Sequence, residues 1–360
     1  MGATSGRLSR GTDKNLISAI KSQWGWHAAI IWTFIYGGLG MYWSFGGEGY
    51  PFGLDIDPDA AGSFYRHASS ELTGAVIAVL SVLGIVALTL YSKISSRNVR
   101  RIIIGFSWGM AVILCLTIPD ARLLIGVAYV PVTLIGAIFD GGIWSQYLDT
   151  ITWPVINQWI CLTGGLFWGA AALSLQRQFR NACFHCGIAV GGNRQESMIQ
   201  AERWGKWFTL VAIIAPLFYD ITRLAWLLGI PLGISGEQFQ SLKETGAIMA
   251  GAGLAFVSII GAILTHGLIS AWGEVFPKWF PFAAGKRVPP AMAILPAGLV
   301  AVLITVTGMQ VVRDFKVSDA LLDWGAITPL LLFPVWGIAL GGAAVCYYYR
   351  RRGRCKVCDR

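Results

Sequence analysis

The stretch from Leu72 to Leu90, LTGAVIAVLSVLGIVALTL, runs nineteen residues without a charged side chain. A helix of that length, rising about 1.5 Å per residue, covers roughly the 30 Å hydrocarbon core of a bilayer. A soluble surface helix has no use for apolar residues on every side, so the stretch reads as a membrane span. The same criterion, with Pro, Gly and charged residues as punctuation, predicts spans near 24–45, 69–91, 100–118, 153–175, 204–229, 244–269, 289–312 and 326–349. Composition agrees: of 360 residues 55% are hydrophobic and 13% charged, where soluble domains carry about a quarter charged. Trp24, Trp43, Trp204, Trp226 and Trp324 fall near predicted span ends, where amphipathic rings favour the interface. The first 23 residues are polar and basic and lead into a full-length span, so no cleavable signal peptide is expected.

A further apolar piece, Leu123 to Phe139, follows the break Ile118-Pro119-Asp120 and contains Pro131. Charge decides how it is read. If both termini are cytoplasmic and this piece does not cross, 22 of the 28 Lys and Arg but only 5 of the 19 acids fall on the cytoplasmic side, as the positive-inside rule requires. If it crosses, basic loops are moved outside. It is therefore expected to be re-entrant or interfacial, over about 119–139, with its backbone covered by protein. The net charge of +9 then describes a cytoplasmic face suited to anionic lipid, and nucleic acid is not an expected partner.

Landmarks recur in one order along the chain. Trp24-Gly25 returns as Trp204-Gly205 and Pro51-x-Gly53 as Pro231-x-Gly233, both at an offset of 180. Thr73-Gly74-Ala75 returns as Thr245-Gly246-Ala247, and Cys183-x-x-Cys186 as Cys355-x-x-Cys358, both at 172. The fold expected is an all-α integral membrane protein of eight transmembrane helices in two parallel four-helix repeats, plus the re-entrant segment. Its parts are a cytoplasmic segment 1–23, a first repeat 24–187, a linker 188–203 and a second repeat 204–360. An even number of spans per repeat brings both Cys-x-x-Cys motifs to one face.

Four thiolates on one face suit zinc, which favours a closed tetrahedron of sulfur ligands at about 2.3 Å. Each motif offers two ligands from one tight turn, and Gly187 after Cys186 suits that turn. Cys183, Cys186, Cys355 and Cys358 are thus the expected metal ligands. The same spacing also serves thiol redox chemistry, and the neighbouring arginines favour thiolate in either case.

Ionisable residues inside spans are costly and mark function by default. Asp220 and Arg223, three apart on the fifth span, are expected to share a helix face and pair. Glu71 and Glu244 are read as beginning the second and sixth spans, where a helix N-terminus favours a carboxylate. These four form the predicted ligand or ion pathway. Asp55-x-Asp57-x-Asp59 looks like a fragment of a calcium loop but lacks that loop's Gly and Glu.

Over Trp24 to Gly53, and again from Ala201-Glu-Arg-Trp-Gly-Lys206 through Arg223-Leu-Ala-Trp226 to Gly233, the chain resembles multi-pass membrane proteins of Gram-positive, chiefly actinobacterial, type that carry no assigned activity. The resemblance implies a bacterial cytoplasmic membrane. There is no P-loop, Gly-x-Ser-x-Gly elbow, His-Glu-x-x-His or dinucleotide fingerprint, so an ATPase or hydrolase is not expected. The leading expectation is a non-enzymatic protein that transports or binds a small or amphiphilic ligand between its repeats. Two other classes fit the residues: a membrane thiol or quinone oxidoreductase using the Cys pairs, and a non-catalytic scaffold or immunity protein.

Overall fold

A computed structural model of the chain describes residues 6–139, 141–184, 186–189, 194–276, 278, 284–317, 323–352, 355 and 358. Among them the protein is all helix, with two isolated antiparallel bridges and no β-strand. The first half contains α1 (Gly6–Ser44), α2 (Ser70–Leu90), α3 (Arg97–Val112), α4 (Ala121–Phe139), α5 (Gly142–Asp149) and α6 (Trp153–Phe179). The second contains α7 (Arg194–Ile214), α8 (Leu217–Leu227), α9 (Gly236–Glu244), α10 (Ala247–His266), α11 (Pro290–Asp314), α12 (Trp324–Ile327) and α13 (Phe333–Arg351).

Among the described residues, seven helical stretches are long and apolar enough to cross a membrane: Ser70–Lys93, Arg97–Thr117, Trp153–Phe179, Gln195–Leu227, Ala247–His266, Pro290–Asp314 and Trp324–Arg351. They match seven of the eight predicted spans. The eighth, in α1, is rich in Trp, Tyr and Gly rather than Leu and Ile. Its inward stripe is Gly25, Ala29, Thr33, Tyr36, Gly40 and Trp43, at the three-to-four spacing of one helix face. Its opposite face carries Ile31, Phe34, Ile35, Met41 and Tyr42, all more than half exposed. Val79, Val82 and Leu83 on α2 are exposed in the same way. Soluble proteins rarely expose apolar surface so continuously, and together with the long apolar helices it points to a membrane protein.

In the first half α1 packs on α2 and α6, and α3 packs on α6. In the second half α7 packs on α13 and α8 on α10, while α11 packs on α13. An ideal Cβ on Gly25 would stand 2.7 Å from the Cβ of Ala170 in α6, and one on Gly205 would stand 3.2 Å from the Cβ of Cys346 in α13. Gly53 and Gly233 both hold positive φ, +90° and +72°, where an L side chain is strained.

Three elements depart from the sequence reading. The stretch predicted as one span over 204–229 is two helices, because Pro216 has no N–H to continue the ladder from α7 into α8. The linker predicted over 188–203 is helical from Arg194, where α7 begins. Glu244 does not begin the sixth span but ends the separate helix α9, and Gly246, at φ +71°, turns the chain into α10.

The piece over 119–139 is the helix α4, which with α5 forms a hairpin. The backbone N–H of Asp120 donates to Gln158 in α6 (3.0 Å), so the hairpin starts beside the first turns of α6 and ends where α6 begins. Tyr147 of α5 donates its hydroxyl to the carbonyl of Gly126 in α4 (2.9 Å). Leu123, Leu124 and Val127 pack in one cluster with Val155 and Leu162 of α6 and Leu299, Val302 and Leu303 of α11, so α4 joins the two halves.

Candidate metal centre

At the other end of α6, Arg180 closes the helix and Asn181 takes a positive φ of 50°. The chain then folds into a tight hairpin. Ala182 bridges Ala189, the N–H of Cys183 donates to Ile188 O (3.0 Å), and the N–H of Gly187 donates to Cys183 O (2.7 Å). Gly187 sits at φ +70°, which a side chain would strain, so a glycine is what lets two cysteines three apart face one point.

The end of α13 brings Cys355 and Cys358 to that point. All four Sγ atoms lie within 4.8 Å of one another. Cys183 and Cys355 are 3.9 Å apart, and Cys186 and Cys358 are 3.6 Å apart. Four sulfurs at about 2.3 Å around one ion stand about 3.8 Å from one another, so these two contacts have the length such a tetrahedron requires and the group could hold a metal ion. They are far longer than the bond of about 2.05 Å in a disulfide, so no disulfide joins the two motifs. Each close contact joins residues 172 apart, so the two motifs meet as equivalents.

Cys186 and Cys355 are buried, with Ile188 beside them. Arg177 donates to the carbonyl of Phe184, and Arg352, from the other half of the chain, donates to the carbonyl of Cys186. Four thiolates around a divalent ion would leave a net charge of −2, which these guanidinium groups would offset, and their hydrogen bonds fix the loop. The arrangement is closed, with sulfur at every corner. His185, inside the first motif, lies outside the described residues.

The predicted pathway residues are not gathered into one site. Asp220 and Arg223 do not pair. Asp220, 2% exposed, accepts a hydrogen bond from Ser258 of α10 (3.2 Å), and its Oδ1 is buried with no partner. Arg223 turns the other way and donates to the carbonyls of Gly325 and Ala326 (3.1 and 3.2 Å), with its guanidinium 4.7 Å from the Tyr219 ring and 4.1 Å from the Trp226 ring. The i,i+3 rule put them on one face of α8 but ignored the neighbouring helices, which supply each with a partner. Glu71 lies in the first turn of α2 as predicted; it and Glu244 are exposed.

A buried charge network escaped the sequence reading. Arg122 at the start of α4 bonds Asp120, with Nη2 to Oδ2 at 2.6 Å, and Asp57, with Nη1 to Oδ2 at 2.8 Å. Gln158 of α6 donates to Asp120 (2.7 Å), and Gln310 of α11 accepts from the N–H of Ala121 (3.0 Å). A loop, the hairpin and both halves of the chain meet there. The signal available in the sequence was Pro119-Asp120-x-Arg122, a helix break followed at once by an opposite pair. A second polar cluster, Tyr36–Asn157–Cys161, joins α1 to α6, the Tyr36 hydroxyl standing 3.1 Å from both Asn157 Oδ1 and Cys161 Sγ.

Compared with models of protein families, with curated proteins and with solved structures, the chain matches none of them. Its four-cysteine centre is therefore read from its own geometry.

Proposed function

We propose that the chain is an eight-span protein of the bacterial cytoplasmic membrane, built from two parallel copies of a four-helix unit, whose cytoplasmic ends are clamped by one structural zinc ion on Cys183, Cys186, Cys355 and Cys358. Between the copies it binds or moves a small or amphiphilic ligand, with Asp220 and Arg223 as separate polar contacts. The observation that carries the clamp is the set of four sulfur atoms, drawn from residues 172 apart, at the spacing of a tetrahedral site.

Several features support duplication. Helix neighbours recur in the two halves, with the first element against the second and fourth and the third against the fourth. Gly25 and Gly205 each lie against the last helix of their own half, and Gly53 and Gly233 repeat one left-handed turn. In this reading α1 is the eighth span and the α4–α5 hairpin is re-entrant, inserted in the first copy and covered by α6 and α11. Anionic lipid gathers at the basic cysteine-bearing face.

Zinc held by four thiolates contributes folding free energy, about 10–16 kcal/mol for small zinc domains. Here it would secure two chain ends that α13 and α6 deliver separately. Metal analysis of the purified protein tests this: the wild type is expected to carry about one zinc per chain, and Cys183→Ser or Cys355→Ser to lose it. Retention of full metal in either variant would remove the shared clamp; reversible Cys183–Cys186 disulfides trapped in cells without metal would favour the oxidoreductase class instead.

A further inference from the structure

At the end of α6 away from the cysteines, a cavity of about 800 Å³ opens between the α4–α5 hairpin and the first turns of α6. Its size falls within the range of about 300–1,000 Å³ typical of small-molecule sites. Ile125, Val130, Ile143, Val155 and Trp159 make its interior apolar. The α4 wall has a gap at Gly126: an ideal Cβ there would meet nothing within 4 Å, while the Gly126 carbonyl is already taken by Tyr147.

The polar part of the lining has the opposite character. Asp59 and Asp149 are exposed there. Arg122 is the basic residue of the lining, but its guanidinium is committed to Asp57 and Asp120. Arg122 is thus matched by two buried carboxylates behind the lining, and Asp59 and Asp149 are left in the lining with no basic side chain to balance them there. Tyr129 and Tyr147 also line it, and Trp144 stacks on Tyr147 with ring centroids 5.6 Å apart. Carboxylates and aromatic faces together attract an organic cation, while an anionic head would meet unpaired carboxylates of its own sign.

We infer that this cavity binds a cationic amphiphile: an ammonium or quaternary ammonium head at Asp59 and Asp149, and a single hydrocarbon chain along Ile125, Val130 and Trp159. The site rests on the membrane reading alone, and it is separate from the zinc clamp and from Asp220 and Arg223.

Native mass spectrometry of the full chain in a neutral detergent, offered equal concentrations of tetradecyltrimethylammonium, tetradecyl sulfate and tetradecyl maltoside, tests it. The wild type is expected to retain one trimethylammonium probe in preference to the other two. Asp59→Asn with Asp149→Asn, both at exposed positions, should lower that retention about tenfold, equivalent to about 1.4 kcal/mol. Gly126→Trp should fill the cavity and abolish it. Glu237→Gln, an exposed carboxylate outside the lining, should leave it unchanged, so loss of retention in the aspartate variant reports the cavity and not a general loss of negative charge. Equal retention of the sulfate or the maltoside would overturn the proposal and assign the cavity to bilayer chains. Undiminished retention in the Asp59, Asp149 double variant would overturn it as well.

Discussion

Arg122 holds two carboxylates that are almost fully buried, with side-chain exposures of 6% for Asp57 and 4% for Asp120. Removing one member of such a network leaves uncompensated charge away from water, at a cost of about 3–5 kcal/mol. Arg122→Met is therefore expected to lower the thermal unfolding midpoint of the detergent-purified protein clearly. Adding Asp57→Asn and Asp120→Asn should recover part of the loss, because the orphaned charges are then gone. A triple variant no more stable than Arg122→Met would show that the network is not what Arg122 serves. The sequence could not bring Asp57 to Arg122, because they are 65 residues apart and only the packing of loop on hairpin joins them. The cysteines were legible for the opposite reason: two identical spacings are visible in the sequence itself, Gly187 marks the turn of the first, and the expected helix count sends both to one face. Asp220 and Arg223 misled because spacing on one helix cannot say which neighbouring helix competes for a side chain.

At the level of elements, hydropathy found seven crossing stretches and missed only their interruptions. Pro216 was visible, yet a continuous apolar run outweighed it; a helix can keep its apolar surface while its hydrogen bonds break. Glu244 was misassigned because α9 is polar and short, so it carried too little periodicity to separate it from α10. Close helix contact is set by glycines that hydropathy does not see. On α1, a Cβ at Gly37 would sit 2.5 Å from the Cβ of Ser81 on α2, whereas at Gly38 it would meet nothing within 4 Å. Replacing Gly by Ala inside a helix normally gains up to about 1 kcal/mol. Gly38→Ala should show that gain as a raised thermal midpoint. Gly37→Ala should reverse the sign, since Ser81 touches it through Cβ and cannot rotate away, and overpacking costs about 1–3 kcal/mol. Equal effects at the two positions would contradict the close α1–α2 contact.

For the whole molecule, three of the places where the two halves of the chain meet lie at its two ends. Leu123, Leu124 and Val127 of α4 lie against α11, Gln310 reaches the start of the hairpin, and the cysteines close the far end. The first two lie at one end of α6, a helix about 40 Å long, and the third lies beyond its other end. The molecule is thus fastened at both ends, by packing and a buried charge network at one and by sulfur at the other. In the proposed arrangement, two even sets of spans would bring both motifs to one face, which is the geometry a shared ion requires. X-ray absorption at the zinc edge on the purified full-length protein measures this most directly. One zinc with four sulfur neighbours at about 2.3 Å and no lighter ligand is expected; zinc with two sulfurs and nitrogen or oxygen, or a protein that holds no zinc while its four thiols stay reduced, would rule out the shared clamp.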